Sequence, residues 1–167
     1  ELVNHKNPVI RAQWLKALGN EYGKLMKGVG KKRTGKSRVG PGHNTIRFIH
    51  KHQVPKGKVV SYARFCCDKR PQKEEEDRVR LTVGGDKLPY EGNTATEVAG
   101  LETTKILANS TISTPGARMA FGDIGNYYTN SRLPEPEYMR IKATDILEEI
   151  MDEYNGNIYV DDDGYIY

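Results

Sequence analysis

The chain has 167 residues, 37% of them hydrophobic and 29% charged, with a formal net charge of +4. That content suits one modest core, and no run approaches the roughly 20 apolar residues of a membrane-spanning helix, so we expect a soluble, intracellular chain with no membrane partner (cytoplasmic, particle-borne or nuclear). The two cysteines, Cys66 and Cys67, are adjacent, a poor geometry for a bridge and no metal-ligand set by themselves; two small residues buried in a strand are expected.

The modest net charge hides an asymmetry. From Lys24 to Lys58 there are 11 Lys or Arg and no acid, whereas Glu135 to Tyr167 holds 10 acids against Arg140 and Lys142. A basic stretch of this kind suits a polyanion, because cations release counterions from phosphates on binding. The bland reading is a solvated linker. A start at Glu1 rather than Met and an end inside an alternating aromatic run lead us to expect a fragment.

In chain order, Asn7-Pro8 is a helix start, and Ile10, Trp14, Leu18, Tyr22 and Leu25 recur at helical spacing, predicting an amphipathic helix over 8–27 that Gly28 and Gly30 stop. Residues 28–44 read as a basic, Gly-rich loop. Three β-type runs follow, "TIRFI" from Thr45, "KVVSYARFCC" from Lys58 and "RVRLTV" from Arg78, separated by turn-like segments. "TEVAGLETTKILANST" reads as a helix with Thr96 as N-cap and Val98, Leu101 and Ile106 on one side. "ARMAFGDI" reads as a buried strand ending at Asp123. A helix from Asp145, with Ile146, Ile150 and Tyr154 four apart, and a hairpin around Asp163-Gly164 close the chain.

"GKKRTGKS", Gly30 to Ser37, matches the phosphate-loop pattern by letters. That loop works only between a buried strand and a following helix, which aim backbone N–H groups at phosphates. Here a helix is expected before it and "RVGPGHN" after it, so a basic loop is the better reading. His50 and His52 are expected to share one strand face, a possible pair of metal ligands without a third.

"FGDIGNYY", Phe121 to Tyr128, places a carboxylate at a strand end beside a tight turn, which is what a nucleotidyl transferase needs to hold metal and meet a triphosphate. Taken alone, an Asp after an apolar strand is more often a turn cap. Together with "RVRLTVGGDKLPYEGNTATEVAGLETTKILANS" upstream and "STPGARMAFGDIGNYYTNSRLPEPEYMRI" around it, the ordered set resembles the reverse transcriptase region of copia-type retrotransposons. Trp14, Ala17, Glu21 and Leu25 resemble the helix opening that region, and "FIHKHQVPKGKVVSYARF" its Lys-rich hairpin. The resemblance covers about residues 7–142.

The resemblance implies RNA-directed DNA polymerase activity, with magnesium (or manganese) as cofactor and an RNA or DNA template-primer and deoxynucleotides as partners. The remaining polymerase, RNase H and integrase modules of the element are implied as well. Asp123 takes the place of the first catalytic, metal-binding aspartate, and Tyr128 that of the aromatic gate against a ribose 2′-hydroxyl. Ile124, Gly125, Asn126 and Tyr127 line the triphosphate approach, while Arg78 and Arg80 are placed to touch triphosphate or template. The candidate nucleic-acid contacts are Lys31, Lys32, Arg33, Lys36, Arg38, Lys51, Lys56 and Lys58.

"YVDD", Tyr159 to Asp162, fits the family's metal-binding pair by letters, which makes Asp161 and Asp162 secondary metal candidates. Yet only 38 residues separate Asp123 from Asp161, where the family has a much longer interval, and Asp163-Gly164 follows at once. That is turn chemistry, and a hairpin is expected. The expected fold is α+β: an N-terminal helix and loop over 1–44, then fingers and a partial palm over 45–167, probed against two alternatives, a non-catalytic nucleic-acid-binding module and a P-loop NTPase.

Overall fold

A computed structural model describes residues 4–92, 100–120, 122, 127–130 and 133–167. The chain forms an α+β fold of two compact units, one comprising Glu1–Pro89 with Tyr128–Tyr167 and the other Tyr90–Tyr127. In the first, helix α1 (Pro8–Leu25) begins as expected, with the Asn7 side chain accepting from the Val9 N–H at 2.9 Å and Pro8 in the first turn. Trp14, Leu18 and Tyr22, each four residues on, turn one buried stripe inward. The helix ends at Met26, and the left-handed Gly28 (φ +109) redirects the chain.

Strands β1 (Val60–Lys69) and β2 (Asp77–Val83) form an antiparallel hairpin. β3 (Tyr138–Lys142) pairs parallel to β1, and β4 (Tyr165–Ile166) antiparallel to β3, giving the order β2-β1-β3-β4. α1 lies beside the free edge of β2, where the Leu81 N–H donates to Glu21 Oε1 at 3.1 Å, so the exposed ladder of that edge is partly capped. Burial pushes the Glu21 carboxyl up, and the Leu81 N–H opposes it.

The core joins α1 to the acidic end of the chain. Trp14, Leu18, Tyr22, Met26 and Val29 pack with Val79 of β2, Ile166 of β4, and Ile146, Ile150 and Met151 in and before helix α4 (Glu148–Glu153). Tyr22 meets the Phe65 ring edge-on at 5.6 Å. Gly42 must be glycine, because a Cβ there would stand 2.1 Å from the Met26 carbonyl oxygen and 2.2 Å from that of Gly23.

Several expectations change. "TIRFI" forms no strand: Ile46 and Phe48 pack on the core, while the Thr45 and Ile46 N–H groups donate to the Leu25 carbonyl at the end of α1 and Ile49 donates to the Tyr167 carbonyl at 2.9 Å. Alternation there reports burial without strand pairing. Residues 117–120 of "ARMAFGDI" form no strand and are largely exposed. The helix expected from Asp145 starts at Glu148, after a 3₁₀ turn at Ala143–Asp145. Cys66 and Cys67 lie in β1 but are exposed: Cys66 sits on the outer face opposite Arg80, and Cys67, across from Val79, lies near the end of the strand where cover over the core face thins. His50 and Lys51–Gln53 form a 3₁₀ turn rather than a strand. In the second unit, helix α3 (Leu101–Ser113) follows Gly100 and leaves Leu101, Ile106, Leu107 and Ile112 exposed; Thr96 and Val98 lie outside the described residues.

Candidate functional site

Of the predicted polymerase residues, Asp123, Ile124, Gly125 and Asn126 lie outside the described residues, and Tyr127 and Tyr128 open a 3₁₀ turn, Tyr127–Asn130. Arg78 and Arg80 flank the buried Val79 on β2, and strand alternation therefore sends both to the face away from the core. Their partners across the hairpin are Asp68 and Cys66.

The "YVDDDG" segment is a turn built around one carboxylate, not the expected hairpin: a 3₁₀ turn, Gly156–Tyr159, precedes it, and the strand after it, β4, pairs with β3. The Gly164 N–H donates to the Asp161 carbonyl at 3.0 Å, and the Asp161 N–H to the Tyr165 carbonyl at 2.8 Å, with Gly164 at φ +80. Asp161 Oδ1 accepts from the N–H groups of Asp163 (3.0 Å) and Tyr165 (2.8 Å), while Oδ2 accepts from the Tyr167 hydroxyl (3.1 Å) and lies 3.1 Å from Lys51 Nζ. The Tyr165 N–H, followed by Lys51 and Tyr167, holds this carboxyl below the usual range. Asp162 is exposed.

A carboxylate with three hydrogen-bond donors and a lysine partner does not fit a divalent ion, which needs free oxygen lone pairs from converging carboxylates. Among the described residues no three His, Cys, Asp or Glu side chains converge as a metal site. His50 and His52 instead stack on each other, ring centroids 5.1 Å apart, with Tyr159 4.8 Å from His50.

"GKKRTGKS" folds as a single helical turn, α2 (Lys31–Thr34), between left-handed Gly30 and Gly35. A lone bridge from Val29 to Val39 closes it, and the segment before it is α1. The strand before and helix after that a phosphate loop requires are replaced by a helix and a Gly-Pro-Gly turn.

The basic stretch proves to be half occupied by the acidic end of the chain. Arg38 grips Glu149 with two bonds of 2.9 and 3.0 Å and reaches Asn20 through Nε at 2.9 Å. The Lys32 N–H donates to Glu153 at 2.9 Å, and its ammonium to the Asp152 carbonyl and to Asn155 Oδ1. Lys51 meets Asp161 and Asp163, and Lys58 meets Glu135 at 2.6 Å. The Tyr154 hydroxyl accepts from the Lys27 N–H and donates to the Gly28 carbonyl. Lys31, Arg33, Lys36 and Lys56 are exposed and form no ion pair among the described residues.

A second cationic surface emerges only from the sheet register. Arg64, Arg78 and Arg80 on the hairpin share the outer face with Arg140 and Lys142 of β3, since Tyr62 pairs with Arg140, and Lys142 with Tyr165. Tyr62, Arg140, Lys142, Thr144 and Tyr165 line an open cleft of about 370 Å³. The Arg140 guanidinium sits over the Tyr165 ring at 4.8 Å. Arg64, Arg140, Lys142, Tyr62 and Tyr165 escaped the sequence reading; the signal for them was strand alternation, which places every second residue of "SYARFC" and "YMRIK" on one face.

No family model, curated protein or solved structure matches the chain.

Proposed function

We propose that this chain is the fingers and first part of the palm of an RNA-directed DNA polymerase from a copia-type retroelement, a strand-binding piece that is inactive in polymerisation by itself. The observation that carries the reading is the ordered set of sequence motifs, from the Trp14 helix through "RVRLTVGG" to "FGDIGNYY" and "EYMRI". The hairpin β1–β2 with α1 along its edge, and basic side chains facing outward, supports it. Asp123 is the proposed first catalytic carboxylate, with Ile124 to Tyr128 and Arg78 or Arg80 beside the nucleotide, and magnesium or manganese is the proposed cofactor. Among the described residues no carboxylates converge to hold such an ion, and Asp123 lies outside them. Its partners are a template-primer and deoxynucleotides.

The test is primer extension on an RNA template with magnesium, run beside a binding assay for the same template-primer. Binding without extension is expected. Extension by the parent that Asp161→Asn abolishes would make "YVDD" a metal site after all.

A second reading, a nucleic-acid-binding module with no chemistry of its own, is favoured by the full occupancy of Asp161 by protein donors. It makes Asp123 dispensable: Asp123→Asn then leaves metal-dependent nucleotide binding unchanged, whereas the polymerase reading predicts its loss. A P-loop NTPase, the remaining alternative, requires Lys36→Ala to abolish ATP binding.

A further inference from the structure

We propose that the nucleic-acid-binding surface of this chain is the outer face of its four-stranded sheet rather than the basic loop, and that its ligand is a single strand. The inference rests on the strand-binding reading above and assigns the surface that performs it.

The two cationic regions differ in what already holds their charges. In the loop, half of the cations are held: Arg38 by Glu149, Lys51 by Asp161 and Asp163, Lys58 by Glu135, and the Lys32 ammonium by the Asp152 carbonyl and Asn155 Oδ1, which leaves Lys31, Arg33, Lys36 and Lys56 without an ion pair among the described residues and without an aromatic ring of the cleft beside them. On the sheet, Arg64, Arg78, Arg80, Arg140 and Lys142 form no ion pair among the described residues. The acids sharing or bordering that face are few: Asp68 lies across from Arg78, Asp86 accepts from the Tyr62 hydroxyl at 2.9 Å, and Asp145 lines the cleft. Free cations on a fixed sheet gain counterion release from a phosphate chain without first breaking protein contacts.

The aromatic rings decide the form of the ligand. Tyr62 and Tyr165 stand on either side of the cleft on this face, and Arg140 lies over Tyr165, so phenol and guanidinium planes are presented between the cations. Rings and guanidinium planes take up bases only when those bases are unstacked, which is the state of a single strand and not of a duplex. Four strands about 4.8 Å apart give a platform roughly 15 Å wide, enough for a strand to cross while its phosphates meet arginines on both flanks.

The experiment measures anisotropy of a labelled oligouridylate of about twelve nucleotides against the full chain across a salt series. Two variants remove two free cations each, Arg64→Gln with Arg140→Gln on the face and Lys31→Gln with Lys36→Gln on the loop, with thermal melting to verify folding. The face variant is expected to bind about tenfold more weakly, with its salt slope reduced by about 1.4, since each single-strand phosphate contributes about 0.7. The loop variant is expected to change less than about threefold. A loop variant that loses as much affinity as the face variant overturns the assignment. A parent that binds no oligonucleotide overturns this inference and the strand-binding function together.

A readout independent of charge variants uses Cys66, which lies on the same face opposite Arg80. In a Cys67→Ser chain, bound oligouridylate is expected to slow maleimide alkylation of Cys66 severalfold. An unchanged rate while anisotropy reports binding removes the face from the interface and leaves the function standing.

Discussion

The Lys51 ammonium sits 3.1 Å from Asp161 Oδ2, so a side chain of the basic stretch closes the aspartate turn at the acidic end of the chain. Lys51 also lies 3.2 Å from Asp163 Oδ2, and its own pKa is pushed up, first by Asp161. The contact ties together segments that the charge pattern presents as opposites.

This gives a pH prediction with a definite sign. The folded Asp161 carboxyl titrates below its ordinary value, so its contribution to stability is present above about pH 4 and is lost as pH falls through the folded value. Asp161→Asn should lower the melting temperature by a few degrees near neutrality, and the two melting curves should converge on acidification. A gap that persists undiminished at about pH 3 would remove the carboxylate charge from the account.

Among the described residues Arg38 and Glu149 form the best-shaped ion pair, two parallel bonds with the Glu149 side chain mostly buried. A double-mutant cycle with Arg38→Ala and Glu149→Ala should return a coupling of about 1 kcal/mol, at the upper end for partly exposed pairs. Added salt should weaken that coupling, because the Arg38 end of the pair is exposed.

Tyr22 and Ile150 are both buried, yet their truncations should differ in sign. The Tyr22 hydroxyl finds no hydrogen-bond partner among the described residues, and burial pushes its pKa up. Tyr22→Phe therefore removes an unpaired polar group and should leave stability unchanged or raise it by up to about 1 kcal/mol. Ile150, at 0% exposure, fills the core, and Ile150→Ala should cost about 3 kcal/mol in chemical denaturation.

The parts of the fold legible in the sequence were those whose signals are local. Asn7-Pro8 and the Trp14, Leu18, Tyr22 spacing define α1, and "KVVSYARFCC" and "RVRLTV" define β1 and β2, because caps and alternation act within a few residues. "TIRFI" misled because Ile46 and Phe48 bury against the core with no strand alongside. The Asp161 turn was legible from Asp163-Gly164, but its Lys51 partner, 110 positions away, was not. The basic stretch looked like a binding surface because the sequence cannot show that Arg38 already faces Glu149. The reverse holds for the sheet face, whose cations are scattered from Arg64 to Lys142 and converge only when β1 pairs with β2 and β3.

The central claim is that the chain holds a nucleic-acid strand through its phosphates, and a salt titration of RNA template-primer binding tests it most directly. With four or five phosphates neutralised, the logarithm of the binding constant should fall against the logarithm of salt with a slope of about −3 or steeper. A flat response, or no binding at low salt, would contradict the account.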